Sequence, residues 1–295
     1  MDFRRLIHNG KAIIPDSVSE IDSYAFKECK TLISVVIPDS VTKIGDWAFA
    51  GCSCLTSITI PDSVTSLGSC AFKDCSALIS IKIPDSVSEL GSHAFQGCKA
   101  LTSIEIPDQV PWIGLCVFHN CSALTSIRIP YGVRHIYGSA FAGCSGLTSI
   151  TIPKSVLDIG AFAFQGCTAL TSIDIPNSVT KIGCGAFDGC SGLTSVMISS
   201  NVTTINEWTF FNCSGLTFLE VPGKVSIIKR RAFKGCISLK ELSIHSNPSF
   251  AKDFLMGCGL HYPSISLSVP IKEEYEFRKH RFFRRFHAIV PKNDY

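Results

Sequence analysis

An α/β repeat solenoid is the fold this sequence predicts, and three observations predict it. A period of 23 residues runs through most of the chain. Proline, phenylalanine and cysteine recur in fixed phase within that period. The composition, 46% hydrophobic and 17% charged over 295 residues, suits a chain that buries a long core.

The phase is set by Phe26 and every 23rd residue after it up to Phe233, with a cysteine three places behind each, from Cys29 to Cys236. Prolines mark the same phase from Pro15 to Pro222, with Ser199 in the one gap. Ten units run from Pro15 to Ile244 without an insertion, and their consensus is I-P-D-S-V-T-x-I-G-x-x-A-F-x-G-C-S-x-L-T-S-I-x. The L-T-S-I-x-I part alternates apolar and polar, as a half-buried strand does. Proline ends that strand and Asp-Ser supplies turn chemistry. The next Val and Ile point back into the core. Ala-Phe is expected in a compact helical or extended turn, with Phe as a stacked spine. Gly-Cys-Ser closes the coil, with Cys as a small buried hydrophobe. One such unit cannot bury its apolar face alone, but stacked units build a continuous core. Eleven coils at roughly 4.8 Å each give a rod of about 50 Å.

The ends are degenerate in the way caps are. Residues 1–14 form an N-terminal half-repeat in which Phe3 takes the Phe position, Leu6 the Cys position and Ile14 the last strand position. Because the chain begins in mid-repeat, no cleaved leader is expected. Residues 15–244 are the ten repeats, and 245–269 are a degenerate repeat. There Leu255-Met256-Gly257-Cys258 echoes F-x-G-C with a shift of one residue, and Ile265 and Leu267 restore the strand phase. Residues 270–295 predict a basic amphipathic cap helix or tail. Glu273, Glu274 and Glu276 come early and Arg284 and Arg285 late, as a helix dipole favours. Tyr275, Phe282, Phe286 and Ile289 share one face.

The units I-P-D-S-V-T-K-I-G-D-W-A-F-A-G-C (37–52) and L-T-S-I-T-I-P (55–61) closely resemble the BspA-like leucine-rich repeats. The resemblance covers 15–244 and extends weakly to about 267. It implies a curved, right-handed solenoid with a parallel β-sheet on the concave face. It also implies a role in adhesion or interaction, since members are often surface adhesins or interaction proteins of microbes. A family resemblance does not by itself fix function.

Positions that vary between repeats are free to recognise a partner. One such row is the exposed strand position, which includes Lys82, Glu105, Arg128, Asp174 and Glu220. Lys82, Glu105 and Arg128 alternate in sign and are expected to pair, either as a solvated ladder or as a recognition row. Units five and six depart furthest from the consensus, reading P-D-Q-V-P-W-I-G and P-Y-G-V-R-H-I-Y. They gather Trp112, Tyr131, Arg134, His135 and Tyr137, with Arg128 nearby. Trp, Tyr and Arg are enriched at interface hot spots. The plainer alternative is drift in a redundant array.

Chemistry finds less support. Cys70, His93 and Cys116 fall on consecutive coils. The two cysteines are then on the order of 10 Å apart, whereas zinc needs each sulfur at about 2.3 Å. No metal or cofactor is expected. Asp16, Asp39, Asp62, Asp85 and Asp108 form a column, but each sits in a P-D-S/Q turn where Asp is a local turn former. No phosphate loop, nucleophile elbow or HExxH motif is present, so no catalytic residue is assigned and the chain is not read as an enzyme.

Net charge is +3, and residues 272–295 hold the whole excess, which leaves a neutral body unlike a nucleic-acid binder. Arg278, Lys279, Arg281, Arg284 and Arg285 carry that charge. They suit a solvated cap, an anionic membrane surface, a nucleic acid or a nuclear signal. The expected function is a non-catalytic scaffold that binds a protein partner, cytoplasmic because no signal peptide or membrane span is apparent. The alternatives are a surface adhesin exported by a non-classical route, and nuclear or peripheral-membrane association through the tail.

Overall fold

The L-T-S-I-x-I segments become strands because their alternating residues present one apolar row inward and one polar row outward. In the computed structural model, which describes residues 2–251, 253–260 and 265–267, these segments stack in parallel, coil upon coil. Lys11–Ile13, Ser34–Val36, Ser57–Thr59, Ser80–Lys82, Ser103–Glu105, Ser126–Arg128 and Ser149–Thr151 form one sheet, opened by an antiparallel hairpin with Ile7–His8. Ser172–Asp174 with Ser195–Met197, and Phe218–Val221 with Glu241–Ile244 and Ile265–Leu267, continue this face. The register equals the sequence period: Ile58 pairs with Ile81, and Ile81 with Ile104.

A second face is made of two-residue strands after each P-D-S corner. It begins with Glu20–Ile21, Lys43–Ile44, Ser66–Leu67 and Glu89–Leu90. Val64, Leu67, Phe72, Leu78, Ile81 and Ile83 show how one coil fills the space between the faces, all of them buried.

The helical half of the α/β expectation is not met. Among the described residues the only helix is a four-residue 3-10 turn, Phe3–Leu6. The reason lies in where the backbone N–H groups of the A-F-x-G-C segment go. Trp47, Phe49 and Gly51 donate to Ser69, Ala71 and Lys73 of the next coil, at 2.8, 2.8 and 2.7 Å. Ala48, Ala50 and Cys52 donate three residues back within their own coil. Alternate groups are thus committed between coils, and an α-helix would need them all internally. Left-handed residues at two places per coil make this turn. One column holds mostly Gly, with Asn, Asp or, in the first coil, Glu28 elsewhere, as at Gly51 and Asn120. The other holds Tyr24, Trp47, Phe162 and Arg231, all at positive φ, where bulky residues are uncommon.

Phe26 to Phe233 form an unbroken column of rings 5.2 to 5.9 Å apart and within 15° of parallel. Phe3 closes it edge-on at 5.6 Å and Phe254 does so at 6.3 Å. Leu255 is buried in the coil below, and the Cys258 thiol reaches Phe233 O at 2.8 Å.

That thiol contact is a repeated device. Cys52 Sγ donates to Phe26 O at 3.1 Å, Cys75 to Phe49 O and Cys98 to Phe72 O, and so on through Cys236 to Phe210 O. Fifteen cysteines are free. Burial pushes the thiols of Cys52, Cys121 and Cys190 up from 9.0 to about 12. Folding therefore favours the protonated form. The stability this gives is complete below pH about 9 and is lost as pH rises towards about 12. Near neutral pH an alkylating reagent should label exposed Cys54 at once, while Cys75, Cys98, Cys121 and Cys144 react only on unfolding. Intact-mass spectra with and without urea check this. Rapid native labelling of those four would show that the coils do not seal the thiol column.

Two seams interrupt the second face among the described residues: one lies between Lys181–Ile182 and Thr204–Ile205, and the other is at coil five. Glu89–Leu90 closes one four-stranded sheet and Trp112–Ile113 opens the next. In the coils before it, Thr65 N and Ser88 N each bond to the preceding coil, at 3.0 and 3.2 Å. The equivalent residue in coil five is Pro111, which has no N–H to give. Gly68 N and Gly91 N bond back to Ile44 O and Leu67 O, both at 2.8 Å, whereas Gly114 N makes no such bond among the described residues. A Cβ added at Gly91 would lie 2.3 Å from the Gly68 backbone. One added at Gly114 would come no nearer than 3.5 Å to the preceding coil. The backbones part at this point.

Candidate functional site

The exposed row of the long-strand face is held outward by the same alternation that buries its neighbours. Lys82 is in register with Glu105, and Glu105 with Arg128. Over these strands lies a groove of about 810 Å³, lined by Lys82, Glu105, Arg128, Thr151, Pro153 and Tyr131. Tyr131 occupies the Asp position of a P-D-S turn and is 81% exposed.

The expected Lys82–Glu105–Arg128 ladder does not form. Arg128 Nη2 instead reaches Asp108 Oδ1 at 2.6 Å, in the turn that follows the neighbouring strand. Both partners are exposed, and such a pair is worth only about 0–1 kcal/mol. Its effect is to fix the guanidinium at the rim of the groove. Asp174 lies along the same face in a smaller hollow of about 450 Å³ with Lys154 and Met197. Glu220 Oε1 meets His245 Nε2 at 3.0 Å.

The aromatic cluster expected from units five and six is divided. Tyr131 and Arg128 belong to the long-strand groove. Trp112 and His135 stand in register on the short-strand face, with Tyr137 beside them. The P-x-x-V corner separates the two groups, because residues close in sequence there turn from one face to the other. His135 Nδ1 lies 2.7 Å from Asp158 Oδ2, and the His135 and Tyr137 rings stack at 5.9 Å and 28°. Arg134 is exposed, and its backbone links Pro111 O to Leu157 N. Asp158 was not singled out from the sequence, although it stands one period beyond His135. Asp108 was read only as a turn former. Arg278, Lys279, Arg281, Arg284 and Arg285 lie outside the described residues.

Near the N-terminus, Tyr24 and Trp47 stack at 6.4 Å, and the ammonium groups of Lys27 and Lys73 sit 4.7 and 5.2 Å from the Trp47 ring. These contacts tie the left-handed column together from outside. Among the described residues no group of three or more His, Cys, Asp or Glu side chains is arranged to hold a metal ion. Nor is any helix long and apolar enough to cross a membrane.

A family model described as a BspA-type leucine-rich repeat region matches residues 3–123, 48–169 and 134–261. Solved structures similar to the chain include three from bacteria. A leucine-rich repeat protein from Bacteroides ovatus is 29% identical, with a TM-score of 0.68 over 95% of this chain and 84% of its own. A leucine-rich cell surface protein from Faecalibacterium prausnitzii is 27% identical, with a TM-score of 0.51 over 88% of each chain. A leucine-rich repeat protein of T. pallidum is 28% identical, with a TM-score of 0.50 over 62% of this chain and 78% of its own. No curated protein matches the sequence.

Proposed function

Because the chain belongs to the BspA-type leucine-rich repeat family, we propose that it is a non-catalytic binding module that holds a protein partner against its long-strand face. In this reading residues 15–244 form a right-handed array with that face concave. Residues 1–14 and 245–269 are its ends, and the basic cap or tail expected over 270–295 lies outside the described residues. The single observation that carries the proposal is the groove under Tyr131. There an exposed ring and a braced Arg128 flank a mixed-charge floor of Lys82 and Glu105. Tyr and Arg set at the edge of a rigid concavity are the side chains on which interface energies concentrate.

The test is photo-crosslinking in cells of the native host, with a photoreactive phenylalanine at position 131 and, as a control, at position 24. A protein adduct specific to 131 is expected. Arg128→Ala in the same chain should reduce it at least tenfold, since truncating a hot-spot residue costs about 2 kcal/mol or more. Equal adducts from both positions would remove the groove from the proposal. A chain truncated after Pro270 tests the alternative in which the tail, through Arg278 to Arg285, makes the contact. A second reading, surface adhesion, is favoured by the likeness to a cell surface protein. Labelling intact cells with an impermeant amine reagent distinguishes it.

A further inference from the structure

We propose that the short-strand face of coils two to four, where it ends at Trp112 of coil five, holds a second binding site, distinct from the long-strand groove, and that its ligand is a carbohydrate. Beside the break at Pro111, a notch of about 310 Å³ lies over that face, lined by Lys43, Asp46, Ser66, Glu89 and Trp112 and floored by Gly68 and Gly91 of the I-G column. Its size is at the small end of ligand sites, roughly 300 Å³ and upward, and fits a mono- or disaccharide.

The lining selects the chemistry. Lys43, Ser66 and Glu89 stand in register on three adjacent strands, about 5 Å apart in turn. A donor, a hydroxyl and an acceptor are thus set in a line. Asp46 adds a second carboxylate, tethered by Ser69 N–H to its Oδ1 at 2.7 Å. An anion would meet Asp46 and Glu89, and a small cation would meet Lys43. A neutral polyol satisfies all of them, its hydroxyls donating to the carboxylates and accepting from the ammonium.

Trp112, 39% exposed, supplies what a simple polyol would not use. Its ring face carries the negative lobe of the aromatic quadrupole. The axial C–H bonds of a pyranose form an apolar face with slight positive charge, which stacks on such a ring. In the other described coils of this face the equivalent position is Glu20, Lys43, Ser66, Glu89, His135, Asp158, Lys181, Thr204, Ile227 or Ser249. Among the described coils Trp112 alone puts a large aromatic ring at this position, and it stands at a break in the sheet. Gly68 and Gly91 leave the floor without side chains, so a ring can approach the backbone.

Saturation-transfer NMR tests this with the full chain and a panel of hexoses, N-acetylhexosamines, and α- and β-linked disaccharides. At least one panel sugar should bind in the millimolar range, with its apolar-face C–H protons most strongly saturated. Trp112→Ala should weaken that sugar tenfold or more, and Glu89→Gln several-fold, whereas Tyr131→Ala should leave it unchanged. All three substituted side chains reach the surface, and circular dichroism with thermal melting verifies the fold of each variant. The proposal is overturned if no panel sugar gives more saturation with the wild type than with Trp112→Ala. It is equally overturned if Tyr131→Ala, and not Trp112→Ala, removes binding, because the sugar then lies in the groove assigned to the protein partner.

Discussion

Phe141→Ala should destabilise the chain by about 3–5 kcal/mol, the cost of emptying a fully buried aromatic position. Phe141 is 0% exposed and lies between Phe118, at 5.6 Å, and Phe164, at 5.3 Å. Truncating it removes two ring stacks and leaves a cavity that neighbouring coils cannot fill, because each is held in register by strands on both sides. Total stabilities of folded domains are about 5–15 kcal/mol, so this one change removes a large part. Phe3→Ala supplies the comparison. Phe3 makes one edge-on contact with Phe26, at the end of the column. Stability in a solenoid is close to a sum over neighbouring coils, so the end substitution should cost well under half as much. Urea denaturation of both variants is the measurement, with the midpoint falling and the slope unchanged for Phe3→Ala. A Phe141→Ala midpoint equal to that of Phe3→Ala would mean that the ring column is not what couples the coils.

Much of this architecture is legible in the sequence because the period and the strand register are the same number. Any column of residues 23 apart becomes a physical line. The phenylalanine spine, the buried thiols, the in-phase Phe3 and the shifted Leu255–Cys258 coil all follow from that identity. Two features did not follow. The second strand of each coil, such as Lys43–Ile44, is two residues long and too short for any alternation to register. The outer turn was open to a helical reading because the signal against it is conformational. Trp47 and Phe162 adopt a left-handed backbone that their side chains disfavour, so composition gives no warning. The candidate site was legible in its residue types but not in its grouping. Trp112 and Tyr131 look adjacent when repeats are aligned, yet the corner after each proline sends them to different faces. Pro111 is the most instructive case. It stood out as part of an aromatic anomaly, whereas its structural consequence comes from its missing N–H, a property every proline carries.

The second large effect separates two glycines that the repeat makes equivalent. Both Gly91 and Gly114 follow the apolar residue of a short strand, in I-G or L-G. Gly91→Ala should cost about 3 kcal/mol, at the upper end of ordinary overpacking penalties. Its new methyl would fall 2.3 Å from both Gly68 C and Ser69 N, which are backbone atoms of the coil before it. Neither can move without shifting a hydrogen-bonded ladder. Gly114→Ala should be close to neutral. The nearest atom there is the Val117 Cγ2 methyl at 3.1 Å, at the end of a side chain, and Leu90 O is 3.5 Å away. That mild crowding is set against a gain of about 0.4–1 kcal/mol from the restricted unfolded chain. Thermal and urea unfolding of the two variants should therefore differ by about 3 kcal/mol although the substitution is the same. If instead both destabilise equally, coils four and five stack as tightly as the others. The Pro111 seam would then be closed in solution, and the missing N–H of Pro111 would have no consequence for the stacking of the coils.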